Sequence, residues 1–148
     1  MLIDDELTKE EFYTLIDSVG WLKPSERLLE KTLKNSISIK YVYDDQTVAM
    51  ARAIYDGGYC AFIMDVVVLE KYRNIGIGTM MINRLIERLL NDLDENEKMI
   101  IELLAAPGKT SFYERLGFKV KKEVVENGMY KILRKEGKYD KEKWIRKF

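Results

Sequence analysis

The sequence predicts a mixed α/β or α+β domain, and three observations carry that reading. An alternating run at Ile37–Tyr43 and a second strand-like run at Thr47–Tyr55, separated by Asp44-Asp45-Gln46, form a β-hairpin pattern. Two nearly continuous apolar runs, Tyr59–Leu69 and Met99–Ala106, flank the strongest helical pattern in the chain. Strand, helix and strand in that order imply a right-handed crossover and a parallel pair, which beside hairpins makes the sheet mixed. The 148 residues suit one domain, predicted over 1–134, with a lysine-rich tail at 135–148 that packs on the domain or on a partner.

The elements follow in order. Thr8-Lys9-Glu10-Glu11 has the form of a capping box, and Phe12, Leu15, Ile16 and Val19 continue at helical spacing until Gly20 stops the helix. Pro24-Ser25 restarts a helix with Leu28, Leu29 and Leu33 on one side. The hairpin comes next, and Asp56-Gly57-Gly58 turns the chain into Tyr59–Leu69. Alternation is lost there, as in a central strand buried on both faces, and Asp65 is the anomaly within it. Ile82, Leu85, Ile86, Leu89, Leu90 and Leu93 then mark one face of an amphipathic helix, with Asn83, Arg84, Glu87, Arg88 and Asp92 outside. Asp92–Glu97 is a charged loop. Met99–Ala106 is interrupted by Glu102 and ended by Pro107-Gly108. A short helix is predicted over Thr110–Leu116, stopped by Gly117, and Phe118–Lys121 with Met129–Leu133 closes as a hairpin.

Composition narrows the chemistry. Lys plus Arg and Asp plus Glu each total 25, so the chain lacks the broad basic field of a nucleic-acid binder. No run is long and apolar enough to suggest a membrane span, and MLIDDELTKEEF has no signal-peptide pattern, so a reduced cytoplasmic setting is expected. With no His and a single Cys, Cys60, the usual zinc sites, His-dependent nucleophiles and an internal disulfide drop out. Carboxylates, Tyr, Lys, Ser/Thr and the backbone remain. No metal is expected.

Arg73-Asn74-Ile75-Gly76-Ile77-Gly78-Thr79 lies between the first apolar strand and the amphipathic helix. A helix start leaves amides unpaired and partly positive, glycines let a phosphate approach them, and Arg73 adds a fixed charge. This describes a phosphate or pyrophosphate cradle, although glycines also serve plain strand-to-helix turns. The P-loop spacing is absent, and a dinucleotide fingerprint fails because Met81 stands where its third glycine belongs.

Farther on stands Phe112-Tyr113-Glu114-Arg115-Leu116-Gly117-Phe118. The two segments together resemble the GNAT superfamily of acetyl-CoA-dependent N-acetyltransferases, of the small bacterial single-domain type. Arg73–Gly78 fits its Arg/Gln-x-x-Gly-x-Gly/Ala motif, and Phe112–Phe118 its Phe-Tyr-x-x-x-Gly-Phe motif; the resemblance covers roughly Ile37–Leu133. It implies a mostly antiparallel central sheet flanked by helices, whose central parallel pair splays apart. It also implies that Val66, Val67 and Val68 pair with the pantetheine arm of acetyl-CoA, that one of their amides polarises the thioester carbonyl, and that Arg73–Thr79 hold the pyrophosphate. Tyr113 would give a proton to the departing thiolate, since an unperturbed Tyr stays protonated at neutral pH.

The base is left open by the residues. Many family members carry Glu or His where this chain has Met64, and Asp65 cannot simply stand in, because successive strand residues face opposite sides. Burial raises a carboxyl toward the range useful to a base, which makes Asp65 and Glu102 candidates; structural pairing of each, or a water chain, are the alternatives. Cys60 reads as a small buried hydrophobe. The expected acceptor is a small-molecule or protein amine, with a homodimer open as an assembly. The resemblance places acceptor choice in loops and the first two helices, with Trp21 in Gly20–Pro24 either a pocket wall or a core residue. The alternative function is an acyl-CoA-binding sensor without turnover.

Overall fold

Residues 1–121 are described here from a computed structural model of the chain. The predicted capping box forms. Thr8 Oγ1 accepts the Glu11 amide at 3.2 Å and Glu11 returns a carboxylate oxygen to the Thr8 amide at 2.8 Å, starting α1 at Lys9–Ser18. Gly20, at φ +68°, turns the chain out of it. The second helix, α2, is Glu26–Lys34, and buries Leu29 while Leu28 stays exposed.

Among the described residues five strands form one sheet in sequence order. They are β1 (Leu2–Asp4), β2 (Ile37–Tyr43), β3 (Gln46–Tyr55), β4 (Cys60–Val68) and β5 (Ile100–Leu103). The first four are antiparallel, and β4 with β5 is the parallel pair. The long helix α3, Ile77–Leu90, makes the crossover between them. Six consecutive residues of β3, Val48–Ala53, are buried, which requires cover on both faces of the strand. From α1 and α2, Phe12, Leu15, Ile16 and Leu29 pack with Met50 and Val67, and α3 packs against β2, β3 and β4. No helix among the described residues is long and apolar enough to cross a membrane.

The structure corrects several expectations. Burial in β4 alternates: Ala61, Ile63, Asp65 and Val67 are buried, and the residues between them are only half covered. Its apolar run therefore does not mean burial on both faces. The α3 helix begins at Ile77, so Ile77, Gly78 and Thr79 form its first turn, and Met81 rather than Leu90 completes the buried stripe. Leu93 lies beyond its end. β5 is shorter than Met99–Ala106, and β1, a short edge strand with no periodicity, was not anticipated. Phe118–Lys121 lies outside the helices and strands of the described residues. The partner expected for it, Met129–Leu133, and the tail 135–148 lie outside them.

Contacts divide the chain into two compact units, Met1–Leu104 and Ala105–Phe148. The first holds the sheet and α1–α3. The second holds α4, Thr110–Arg115, where the Tyr113 ring meets Phe112 and Phe118 edge-on at 4.9 and 5.9 Å between centroids.

Candidate functional site

The site in the first unit is built around the end of β4. Met50 pairs with Val67 and Arg52 with Met64, so one β3 residue, Ala51, faces two on β4, Asp65 and Val66. This is a β-bulge, and its extra residue Asp65 sits in the left-handed region at φ +52°. Pairing to β5 stops at Ile63 opposite Leu103, while β4 runs on to Val68. β5 is thus paired along its whole length, whereas β4 is paired with it only over Cys60–Ile63.

Peptide directions follow from one bond. The Leu69 amide donates to the Val48 carbonyl at 2.9 Å, so Leu69 faces β3. Peptide groups alternate along a strand, so Val68 and Val66 turn theirs to the opposite side, where β5 has ended. On that side Arg73 Nε donates to the Val68 carbonyl at 2.9 Å, which folds the guanidinium back beside the strand.

A 3₁₀ turn at Glu70–Tyr72 and two left-handed residues, Asn74 at φ +62° and Gly76 at φ +90°, then lead into α3. Gly76 is the N-cap and provides no side-chain cap; the Met80 amide is the one that closes onto its carbonyl, at 3.0 Å. The amides of Ile77, Gly78 and Thr79 are left as the positive end of the helix. Gly76 is there for its backbone, since a Cβ built on it meets nothing within 4 Å.

Asp65 is a carboxylate with a partner. Arg52 holds its Oδ2 through Nε at 2.9 Å and Nη2 at 2.8 Å, with side-chain exposures of 7% and 11% for Arg52 and Asp65. Asp65 therefore has the structural partner that the sequence left open as one of its alternatives. Arg52 was missed in the sequence. Its signal was available as a lone charge inside the apolar stretch Val48–Ala53, the mirror of the Asp65 anomaly across the hairpin. Met64 is half-buried on the same strand, and Glu102 is half-buried on β5 opposite Phe62. Cys60, at the start of β4, is half-buried with a free thiol. Trp21 is also half-buried and packs against the cluster of Leu15 and Ile16.

A second polar cluster ties α1 to the sheet. Lys40 Nζ reaches the Glu6 carbonyl at 2.9 Å and both Glu11 oxygens at 2.9 and 3.1 Å, while the Thr47 hydroxyl donates to the same carboxylate. Burial alone would push the Glu11 carboxyl up; hydrogen bonds from Thr47, the Thr8 amide and Lys40 outweigh it and hold the pKa below its ordinary value of 4.5.

Asp65–Thr79 therefore form one continuous strand–turn–helix segment within the first unit, and Tyr113 stands on α4 in the second. A mixed sheet in which β4 outruns its parallel partner, followed by an uncapped glycine-led helix, is the arrangement of the GNAT class of fold. The comparisons agree. The acetyltransferase (GNAT) family profile matches residues 5–118, and the chain belongs to that family. It is 37% identical over 113 residues to the uncharacterized N-acetyltransferase ycf52 of Pyropia yezoensis, spanning 73% of this chain and 63% of that protein. It is 33% identical over 106 residues to serotonin N-acetyltransferase 2, chloroplastic, of Oryza sativa subsp. japonica, spanning 68% of this chain and 50% of that protein. The chain thus spans less than two thirds of each of these relatives. Among solved structures, the GNAT family acetyltransferase SP0256 from Streptococcus pneumoniae TIGR4 superposes with a TM-score of 0.70 at 25% identity, covering 91% of this chain and 98% of that one.

Proposed function

We propose that this protein transfers an acetyl group from acetyl-CoA to a primary amine, by direct attack of the amine on the thioester in a ternary complex. The observation that carries this reading is the pair of peptide groups at Val66 and Val68, turned to the side where β5 has ended, on the strand whose following turn leads to the uncapped start of α3. A strand edge of that kind pairs with an extended amide-bearing arm such as pantetheine. The helix amides from Ile77 to Thr79, with Arg73, suit a pyrophosphate. Acetyl-CoA supplies the activated acyl group. The chain's part is to align that group on Val66–Val68, to stabilise negative charge on its carbonyl oxygen with a strand amide, and to protonate the leaving thiolate from Tyr113.

The acid role of Tyr113 rests on its place in the Phe112–Phe118 motif. With Asp65 held by Arg52, the proposed route for the amine proton is water. The acceptor class is a small primary amine, or an N-terminal or lysine amine. The proposed unit of function is one domain over 1–134, acting in the cytoplasm. Thiol release from acetyl-CoA with amines offered singly tests the reading: release that depends on the amine supports it, and saturable acetyl-CoA binding with no release for any amine would make the protein a sensor.

A further inference from the structure

We propose that Arg52 is a positioning residue for this transfer: through Asp65 it pins the β4 bulge and so decides which amides of the strand are free for the thioester. The inference rests on the reading of β4 as the thioester-binding strand. Arg52 is the first β3 residue after the register shift, and Asp65 is the extra residue of the bulge, so the pair clamps the irregularity itself. Without the bulge, β4 beyond Met64 would slip by one residue, and a one-residue slip reverses the direction of every group that follows. The Val66 and Val68 amides would then turn into the β3 ladder, and Val67, now 2% exposed against Phe12 and Leu15, would be displaced from the core.

Stability alone does not explain the pair. Two charges buried in an apolar sheet cost desolvation that their attraction roughly offsets, and fixing register is the best-attested use of such pairs. Asp is also among the few residues that tolerate a left-handed backbone, so position 65 combines the conformation of the bulge with the group that locks it. Arg52 touches neither substrate nor reacting atoms in this account. It acts through the aim of the strand amides.

The test uses acetyl-CoA labelled with ¹³C at the thioester carbonyl, bound to the full chain without an amine, and read by infrared difference spectroscopy. A strand amide donating to that carbonyl lowers its stretching frequency. The double variant Arg52→Met/Asp65→Asn leaves no buried charge unpaired and keeps a residue that accepts the left-handed backbone. It should lose the frequency shift, with kcat down by about 10- to 100-fold, part of the loss seen when an oxyanion donor is removed outright. Acetyl-CoA should bind several-fold more weakly, because the same peptide groups pair with its arm while the helix start still holds the pyrophosphate. Arg52→Lys keeps a charge but gives up the two-nitrogen grip, and should show an intermediate shift; it decides the matter if the double variant does not fold. A full parental shift in either folded variant overturns the pinning role alone. A parental protein that binds acetyl-CoA without any shift overturns the thioester reading of β4, and the pinning role with it.

Discussion

Replacing Gly76 by alanine and by asparagine separates the backbone demand of the cradle from everything else at that position. Gly76 lies at φ +90° and ψ −3°, and a Cβ there meets nothing within 4 Å, so neither side chain clashes. What alanine meets is the left-handed conformation itself, worth about 1–2 kcal/mol for an ordinary L residue. Asparagine is several-fold enriched in that region, which offsets about 1 kcal/mol of it. Both restrict the unfolded chain relative to glycine, and a left-handed residue lies outside the extended geometry from which an N-cap side chain reaches the helix amides. While the loop keeps its shape, the difference between the two variants therefore reads the strain. If the loop keeps its shape in the alanine variant, that difference of about 1 kcal/mol appears in urea unfolding, and acetyl-CoA affinity is unchanged. If the loop relaxes to a negative φ, stability recovers, but binding must restore the strained shape, and Kd rises about fivefold instead. The two losses therefore trade against each other at a nearly constant sum. Unfolding and calorimetric titration of both variants measure that sum, and alanine and asparagine variants indistinguishable in both would refute the argument that Gly76 is held left-handed.

Other outcomes follow from the same geometry. Tyr113→Phe keeps the ring packing against Phe112 and Phe118 and should lower kcat by about 10²-fold with acetyl-CoA affinity nearly intact, read by thiol release and titration. If water removes the amine proton, the acidic limb of kcat/KM should move down with the pKa of the acceptor across an amine series and persist in Asp65→Asn and Glu102→Gln; a limb fixed across amines and lost in one variant would identify that carboxylate as the base. Glu11 is held below its ordinary 4.5, so its contribution to stability is whole above that value and is lost as pH falls through the lower folded pKa. Glu11→Gln should therefore destabilise the protein at pH 7 and flatten the acid limb of a plot of unfolding free energy against pH.

What the sequence disclosed was local. Thr8 and Glu11 sit three residues apart, and the cap they make needs nothing from the rest of the chain. The bounds of β2 and α4 came close for the same reason, as did the glycine turn before α3. What stayed hidden depended on register. Arg52 and Asp65 meet only because two antiparallel strands align with a bulge between them, and no periodicity announces a bulge. β1 is three residues long and owes its existence to pairing with Tyr41, Lys40 and Ile39, far along the chain. The uninterrupted apolar run of β4 misled for a related cause. Its half-covered residues are apolar without being core, a pattern that composition cannot tell from burial. For the candidate site, the strand–glycine–helix order was plain in the sequence, whereas the fate of Asp65 was not.

Among the described residues, the part of β4 beyond Ile63 is an open edge within a sheet rather than along an outermost strand. Exposed edges invite pairing from other chains, and proteins blunt them by keeping them short, bending them or setting charges nearby. All three devices meet here: the open stretch ends at Val68, Asp65 bends it, and the Arg73 side chain lies against its last carbonyl. A bound acyl-CoA arm would close the edge altogether. If acetyl-CoA is the ligand proposed above, colloidal behaviour becomes coupled to its supply, and concentrated stocks should resist aggregation best when saturated with it, by the same mass action that would raise stability.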